Sequence, residues 1–204
     1  MSTVLNTETS GRADPRIARS EIAIQSALLD QLRLGRDLSS LTVSEVAEQA
    51  GVTRKTFYAR FGSLEQLAER MVFDLFSDIE ADIGDEMLRL PLKDSRLSVM
   101  VFEGYRAYQS TLAPLIQHCP AGVFITPVCA VIRRLLQRAA TINQTPEMSE
   151  MGEAYLVSML ASVVHGVLAV WVERGLADSP DQVASFIDAL LVPGIQRVLI
   201  SGSA

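Results

Sequence analysis

Arg54, Lys55 and Arg60 fall inside a seven-residue stretch, 54–60, that holds no acidic residue. Thr53, Thr56 and Tyr58 are interleaved with them. On a short helix this order gathers two cations and two hydroxyls near the N-terminal end. Arginine and lysine can donate to guanine edges or to phosphate, and threonine can hydrogen-bond a base or touch a thymine methyl. A tyrosine hydroxyl is better placed for phosphate than for a base. The chemistry on offer is recognition of double-stranded DNA, and the candidate contacts are Thr42, Thr53, Arg54, Lys55, Thr56, Tyr58 and Arg60. Thr42 joins them because it opens a helix, whose free N–H groups make a ready anion site.

These side chains need elements that hold them. Thr42-Val43-Ser44-Glu45 has the form of a capping box, hydroxyl to backbone and carboxylate back to the cap. A short helix is expected from there, with Val43, Val46, Ala47 and Ala50 inward. Gly51 ends it in a left-handed turn that glycine adopts cheaply. Thr53 caps a second short helix, Arg54 to Phe61, pinned by Val52, Phe57 and Phe61. Gly62 breaks it, and Ser63-Leu64-Glu65-Gln66 opens a long helix to about Ile83. Helix, tight glycine turn, helix is the helix-turn-helix arrangement.

The run Thr42 to Leu67, TVSEVAEQAGVTRKTFYARFGSLEQL, resembles the DNA-binding motif of the TetR family. Its Thr-Val-x-x-Val-Ala-x-x-Ala-Gly-Val-Thr core, Thr-Phe-Tyr-x-x-Phe and Ser-x-Glu-x-Leu fall in register. With the preceding helix the likeness covers about residues 15–70. The resemblance implies a three-helix head, a connecting helix four, a helical effector domain, a homodimer built on the last two helices, and repression relieved by a ligand. One departure stands out. The family often has lysine where this chain has Leu64, so a phosphate contact is expected to be lost or taken over by Arg60, Arg12, Arg16 or Arg19.

The rest of the chain reads as helix throughout, without strand alternation. The first helix is expected over Pro15 to Leu34, capped by Asp14 with Pro15 at its first position. Later helices are expected from Asp94 to about Ser110, Thr111 to Cys119, Gly122 to Asn143, Glu150 to Gly175, and from Ser179 onward. The last carries Val183, Phe186, Ile187, Leu190, Leu191, Ile195, Val198 and Leu199 at helical spacing. The expected fold is therefore all-α, an N-terminal three-helix helix-turn-helix domain followed by a larger helical ligand-binding and dimerisation domain. Its expected divisions are an arm at 1–14, the head at 15–62, helix four at 63–84 and the effector domain at 85–204.

Charge supports a local DNA module and argues against a protein that coats nucleic acid. Net charge is −6. Residues 1–70 carry nine basic and nine acidic residues, so all the excess acid lies beyond them. Two cysteines, Cys119 and Cys129, make no disulfide framework and no zinc spacing. A redox switch between them is the lesser reading. Residues 1–14 lack an apolar stretch, so no signal peptide is expected and a cytoplasmic location fits. Ala154 to Val172 carries no formal charge and could span a membrane by length. Its serines, His165 and Gly166, and the lack of a basic flank, favour burial in protein.

Candidate pocket-lining residues are Met100, Phe102, Tyr105, Phe124, Met159 and His165, each with plain core packing as the ordinary alternative. Trp171, Phe186, Leu190 and Leu191 are expected at the dimer interface. With no nucleophile elbow, phosphate loop or metal motif, no enzyme activity, cofactor or metal is expected. The expected function is a ligand-released repressor that binds an inverted-repeat operator as a dimer, its effector largely apolar. A transcriptional activator of the same fold, and a small-molecule-binding protein without operator function, stay open as alternatives. A membrane partner is not expected.

Overall fold

In the computed structural model, which describes residues 15–92 and 95–201, Pro15 opens the first helix. Its fixed φ is preset for the helix and its missing N–H costs nothing there. Helix α1 runs Pro15–Arg33 and buries Ile24, Ala27, Leu28, Leu29 and Leu32. Gly35, at φ +80°, closes it by donating to the Leu32 carbonyl. The proposed arm at 1–14, the Asp14 and Asp94 caps and Arg12 lie outside the described residues. A 3-10 turn at Leu38–Ser40 leads to α2, Val43–Gln49, and α3, Arg54–Arg60. Gly51, at φ +66°, makes the turn between α2 and α3.

Helix α4, Leu64–Ala81, carries the chain from this head into the second domain. A 3-10 turn at Asp85–Leu88 was not legible in the sequence. There follow α5, Arg96–Ala107, α6, Gln109–His118, α7, Ala121–Asn143, α8, Glu150–Glu173, and α9, Pro180–Ser201. The α5–α6 break falls at Tyr108, two residues before the end expected for that helix. Tyr108 ends one helix and starts the next at φ −95°, ψ 13°. No glycine or proline marks it, so sequence pattern alone could not. Ser179 caps α9 with a full box: its hydroxyl accepts from the Gln182 N–H, and Gln182 Oε1 accepts from the Ser179 N–H. The helix continues through Pro193-Gly194. The described residues contain no strand, and the fold is all-α.

In the second domain α4 packs against α7, α7 against α8, and α5 against α9. One apolar cluster runs unbroken from Ile24 in α1 to Ala184 in α9. Head and body are also tied by polar contacts: the Arg33 guanidinium donates to the Ser110 carbonyl at 3.0 Å, and His118 Nδ1 meets Asp37 Oδ1 at 3.2 Å. Helices α5 and α4 cross closely at Gly104, where a Cβ would stand 2.9 Å from Ile79 Cγ1. Gly104→Ala gains about 1 kcal/mol of helix propensity but overpacks a core crossing at a cost of about 1–3 kcal/mol. The expected result is a lower denaturant midpoint at unchanged slope. A raised midpoint would show that Ile79 yields freely.

Candidate nucleic-acid interface and interior cavity

The head builds its outer surface from local hydrogen bonds. Thr42 and Glu45 form the reciprocal box: the Thr42 hydroxyl accepts from the Glu45 N–H at 3.3 Å, and Glu45 Oε2 accepts from the Thr42 N–H at 2.8 Å. The same carboxylate also accepts a hydrogen bond from the Thr42 hydroxyl at 2.7 Å, and Arg36 pairs with it at 3.2 Å. The Thr42 hydrogen bonds, then Arg36, hold the Glu45 carboxyl below its usual range. The cap is therefore intact above the ordinary glutamate range and weakens as pH falls through the lowered value. Since the Thr42 hydroxyl proton is spent inside the box, backbone N–H groups at the start of α2 remain as its means of meeting a phosphate.

Thr53 caps α3 by accepting from the Thr56 N–H at 3.1 Å, and the two hydroxyls share a 3.0 Å hydrogen bond. Phe57 is fully buried, with the Tyr58 ring edge-on at 5.8 Å and the Phe61 ring at 6.0 Å. That anchor fixes the rotation of α3. Thr53, Arg54, Lys55 and Tyr58 are exposed, while Thr56 and Arg60 are half-buried. Neither Arg54 nor Lys55 makes an ion pair among the described residues. The Arg60 Nε is buried without a hydrogen-bond partner. Leu64 is buried at 6% exposure in the head's core, so its side chain stays in protein where the resemblance leads one to look for an outward lysine. Ser63 caps α4 by accepting from the Gln66 N–H.

The second domain holds a cavity of about 240 Å³ that is partly open to the surface. Helices α4, α5, α7, α8 and α9 contribute Phe76, Phe102, Tyr105, Val131, Val164 and Leu191 to a wall that is almost wholly apolar. Phe102 and Tyr105 are thus in the wall. Met100, Phe124, Met159 and His165 are not, which corrects their assignment as lining. Met100 packs with the separate Ile83–Leu88–Ala139 cluster. Phe124 sits behind the wall, edge-on to Phe76 at 5.1 Å, with His165 behind it at 5.2 Å. Partial burial lowers the His165 pKa. Met159 is 48% exposed on the outer side of α8. For Met159 and His165 the physical reason is that α8 is apolar all round, so periodicity could not say which face points inward.

The same ambiguity misplaced two interface candidates. Trp171 is 2% exposed, donates its Nε1–H to the Asp178 carbonyl at 3.0 Å and meets the Phe102 ring at 5.7 Å. Leu191 faces the cavity. Trp171 is thereby corrected to an interior position, while Leu191 is half-buried at the cavity. Phe186 and Leu190 remain outward, at 67% and 65% exposure. Sequence reasoning missed Ser98, Phe76 and Asp188 as lining residues. The apolar face of α4 was visible, but which helix it meets was not.

Cys119 is mostly buried, and burial together with Asp37 and Glu65 pushes its thiol up to about 12. It is a thiol at neutral pH, which disfavours a nucleophilic or redox role. Among the described residues no three His, Cys, Asp or Glu side chains gather as a metal site.

Residues 34–71 match the sequence model of the family described as bacterial regulatory proteins, tetR family. The chain is similar to the HTH-type transcriptional regulator AlkX of Mycobacterium tuberculosis, 32% identical over 96 residues, which is 42% of this chain and 46% of that protein. It therefore spans under half the length of that relative. Two solved structures share the fold. One is the TetR family repressor AlkX of a Dietzia strain, implicated in n-alkane biodegradation, with TM-score 0.50, 24% identity, and 93% of this chain and 100% of that one covered. The other is NalD of Pseudomonas aeruginosa, secondary repressor of a multidrug efflux pump, with TM-score 0.53, 18% identity, and 92% and 98% covered. Motif and capped helix-turn-helix agree with that match: residues 34–71 carry the helix-turn-helix of the tetR family of bacterial regulatory proteins, joined to an all-helical second domain.

Proposed function

We propose that the protein is a repressor that binds an inverted-repeat operator as a dimer and is released by a small molecule held in the interior cavity. The observation that carries this reading is α3: capped by Thr53, anchored by Phe57, and presenting Arg54 and Lys55 unpaired to solvent. Such a helix can enter the major groove N-terminus first, with the α2 start on the adjoining phosphate. Thr53, Thr56 and Tyr58 are the accompanying contacts, and Arg60 lies at the far end of the helix.

The dimer reading rests on the outer faces of α8 and α9. Tyr155, Met159 and Val170 are exposed on α8, and Phe186 and Leu190 on α9. By length and composition alone both helices could cross a membrane. However, α8 buries Leu156, Val157, Ala161, Leu168 and Trp171 within the chain's own core, as a bundle helix does. A second copy covering the outer faces accounts for the remaining apolar area. Two heads held by a two-fold axis read half-sites about 34 Å apart. A ligand that fits one head spacing better than another shifts the population by no more than its differential affinity.

The test is selection from random double-stranded DNA at near-physiological salt. An enriched inverted repeat is the expected outcome, and none from folded dimer would overturn the reading. On the enriched site, Arg54→Ala is expected to cost about 1–3 kcal/mol and relax preference at one position of each half-site. A loss equal across all sequences would make Arg54 a phosphate contact.

A further inference from the structure

Among the described residues two charged side chains line the cavity, Glu80 and Asp188, and both are acids. They differ in what compensates them. Glu80 is clamped by the Arg134 guanidinium, which donates to both carboxylate oxygens and also reaches the Ser77 hydroxyl. Asp188 has no cationic partner among the described residues. Its Oδ1 accepts a 2.5 Å hydrogen bond from the Ser98 hydroxyl, and its other oxygen accepts from no described group. The Ser98 proton is spent on that bond, so the pair offers a ligand an anionic acceptor and no donor. No lysine, arginine or histidine appears among the described lining residues.

A carboxylate brought into such a space would face a like charge with no compensating cation among the described lining residues, the Tyr105 phenol being a neutral donor only, which is costly in an apolar surrounding. A hydrogen-bond-donating head would instead complete the coordination of Asp188. The volume exceeds the roughly 150 Å³ of a dry apolar cavity that accepts benzene, so an aliphatic body longer than one ring is accommodated. Resting on the reading of this cavity as the effector site, we infer that the effector is an aliphatic molecule with a hydrogen-bond-donating head, ammonium before hydroxyl, seated against Asp188, and that fatty carboxylates are rejected.

The sole tryptophan, Trp171, touches Phe102 of the cavity wall, so its emission reports occupancy. The experiment titrates the full-length protein at neutral pH with decylamine, decanol and decanoate, reading Trp171 emission and calorimetric heat. It is repeated on Asp188→Asn, with operator release followed in parallel. The expected order is amine, then alcohol, then carboxylate, with at least about tenfold between the two ends. Asp188→Asn is expected to collapse that span to within about threefold, both by weakening the amine and by strengthening the carboxylate. Attraction of amine to the chain's net charge of −6 would survive Asp188→Asn, and a span unchanged in that variant overturns the inference. Decanoate binding the wild type as well as the amine also overturns it, while leaving the effector site standing. Binding in the expected order without operator release supports the head-group assignment and overturns the effector reading. No binding of any of the three overturns both.

Discussion

The double replacement Phe186→Glu and Leu190→Glu is expected to leave a folded monomer. These residues stand four apart on the outer face of α9 and are 67% and 65% exposed in the single chain. Substitutions at such positions change folding stability by about 0.5 kcal/mol or less. In a two-fold dimer each appears twice, so four carboxylates would enter one apolar interface. Even at about 1 kcal/mol each, softened by water at the rim, the dimer loses roughly 4 kcal/mol, about a thousandfold in affinity. Sedimentation at micromolar protein should report monomer mass with unchanged helical circular dichroism. Dimer mass in the double variant would sink the α8–α9 interface. The same monomer is expected to bind the inverted repeat far more weakly, because two half-sites no longer share one linked pair of heads.

Phe57→Ala is expected to cost about 3–5 kcal/mol of stability. Phe57 is 0% exposed and is the residue through which α3 is seated on the head, with Val46, Leu67 and Ala68 in the same apolar cluster. Truncation leaves a cavity under the recognition helix, and a helix of seven residues has little else to fix its rotation. Operator binding should therefore fail at a temperature roughly 10 °C below that of the wild type. Phe57→Leu should recover most of the loss, since it keeps the larger share of the buried volume. Equal damage from alanine and leucine would mean that the ring contacts with Tyr58 and Phe61, and not the filled volume, seat the helix.

The head was legible because its signals are local. Thr42 with Glu45, Gly51 and Thr53 each act within one turn of chain, and a cap needs only residues three apart in sequence. The structure returns the Thr42–Glu45 box, the left-handed Gly51 and the Thr53 cap on the residues where pattern placed them. Even here one detail escaped. The Thr42 hydroxyl donates its hydrogen bond to Glu45, and competition between a carboxylate and a future phosphate cannot be read from types and spacing. Leu64 is a second case. Its burial follows from how α4 leaves the head, whereas the resemblance alone suggested an outward position.

The second domain was legible in kind and not in detail. Helix positions followed from caps and breakers, and where none existed, as at Tyr108, the boundary was missed. A stripe such as that of α9 tells that two faces are apolar. It does not tell that Leu191 turns toward a cavity while Leu190, one residue earlier, turns to solvent.

What the sequence by itself determined is the helical content, the helix-turn-helix and its cation-bearing helix. These depend on contacts within a few residues and on a 3.6-residue period. What only the tertiary structure decided is which apolar faces meet and what they leave between them: the cavity among α4, α5, α7, α8 and α9, the interior place of Trp171, and the pairing of Ser98 with Asp188 across ninety positions of chain. Hydrophobic burial is non-directional, so an apolar face specifies that it will be covered but not by what. The partner is chosen by the packing of the whole.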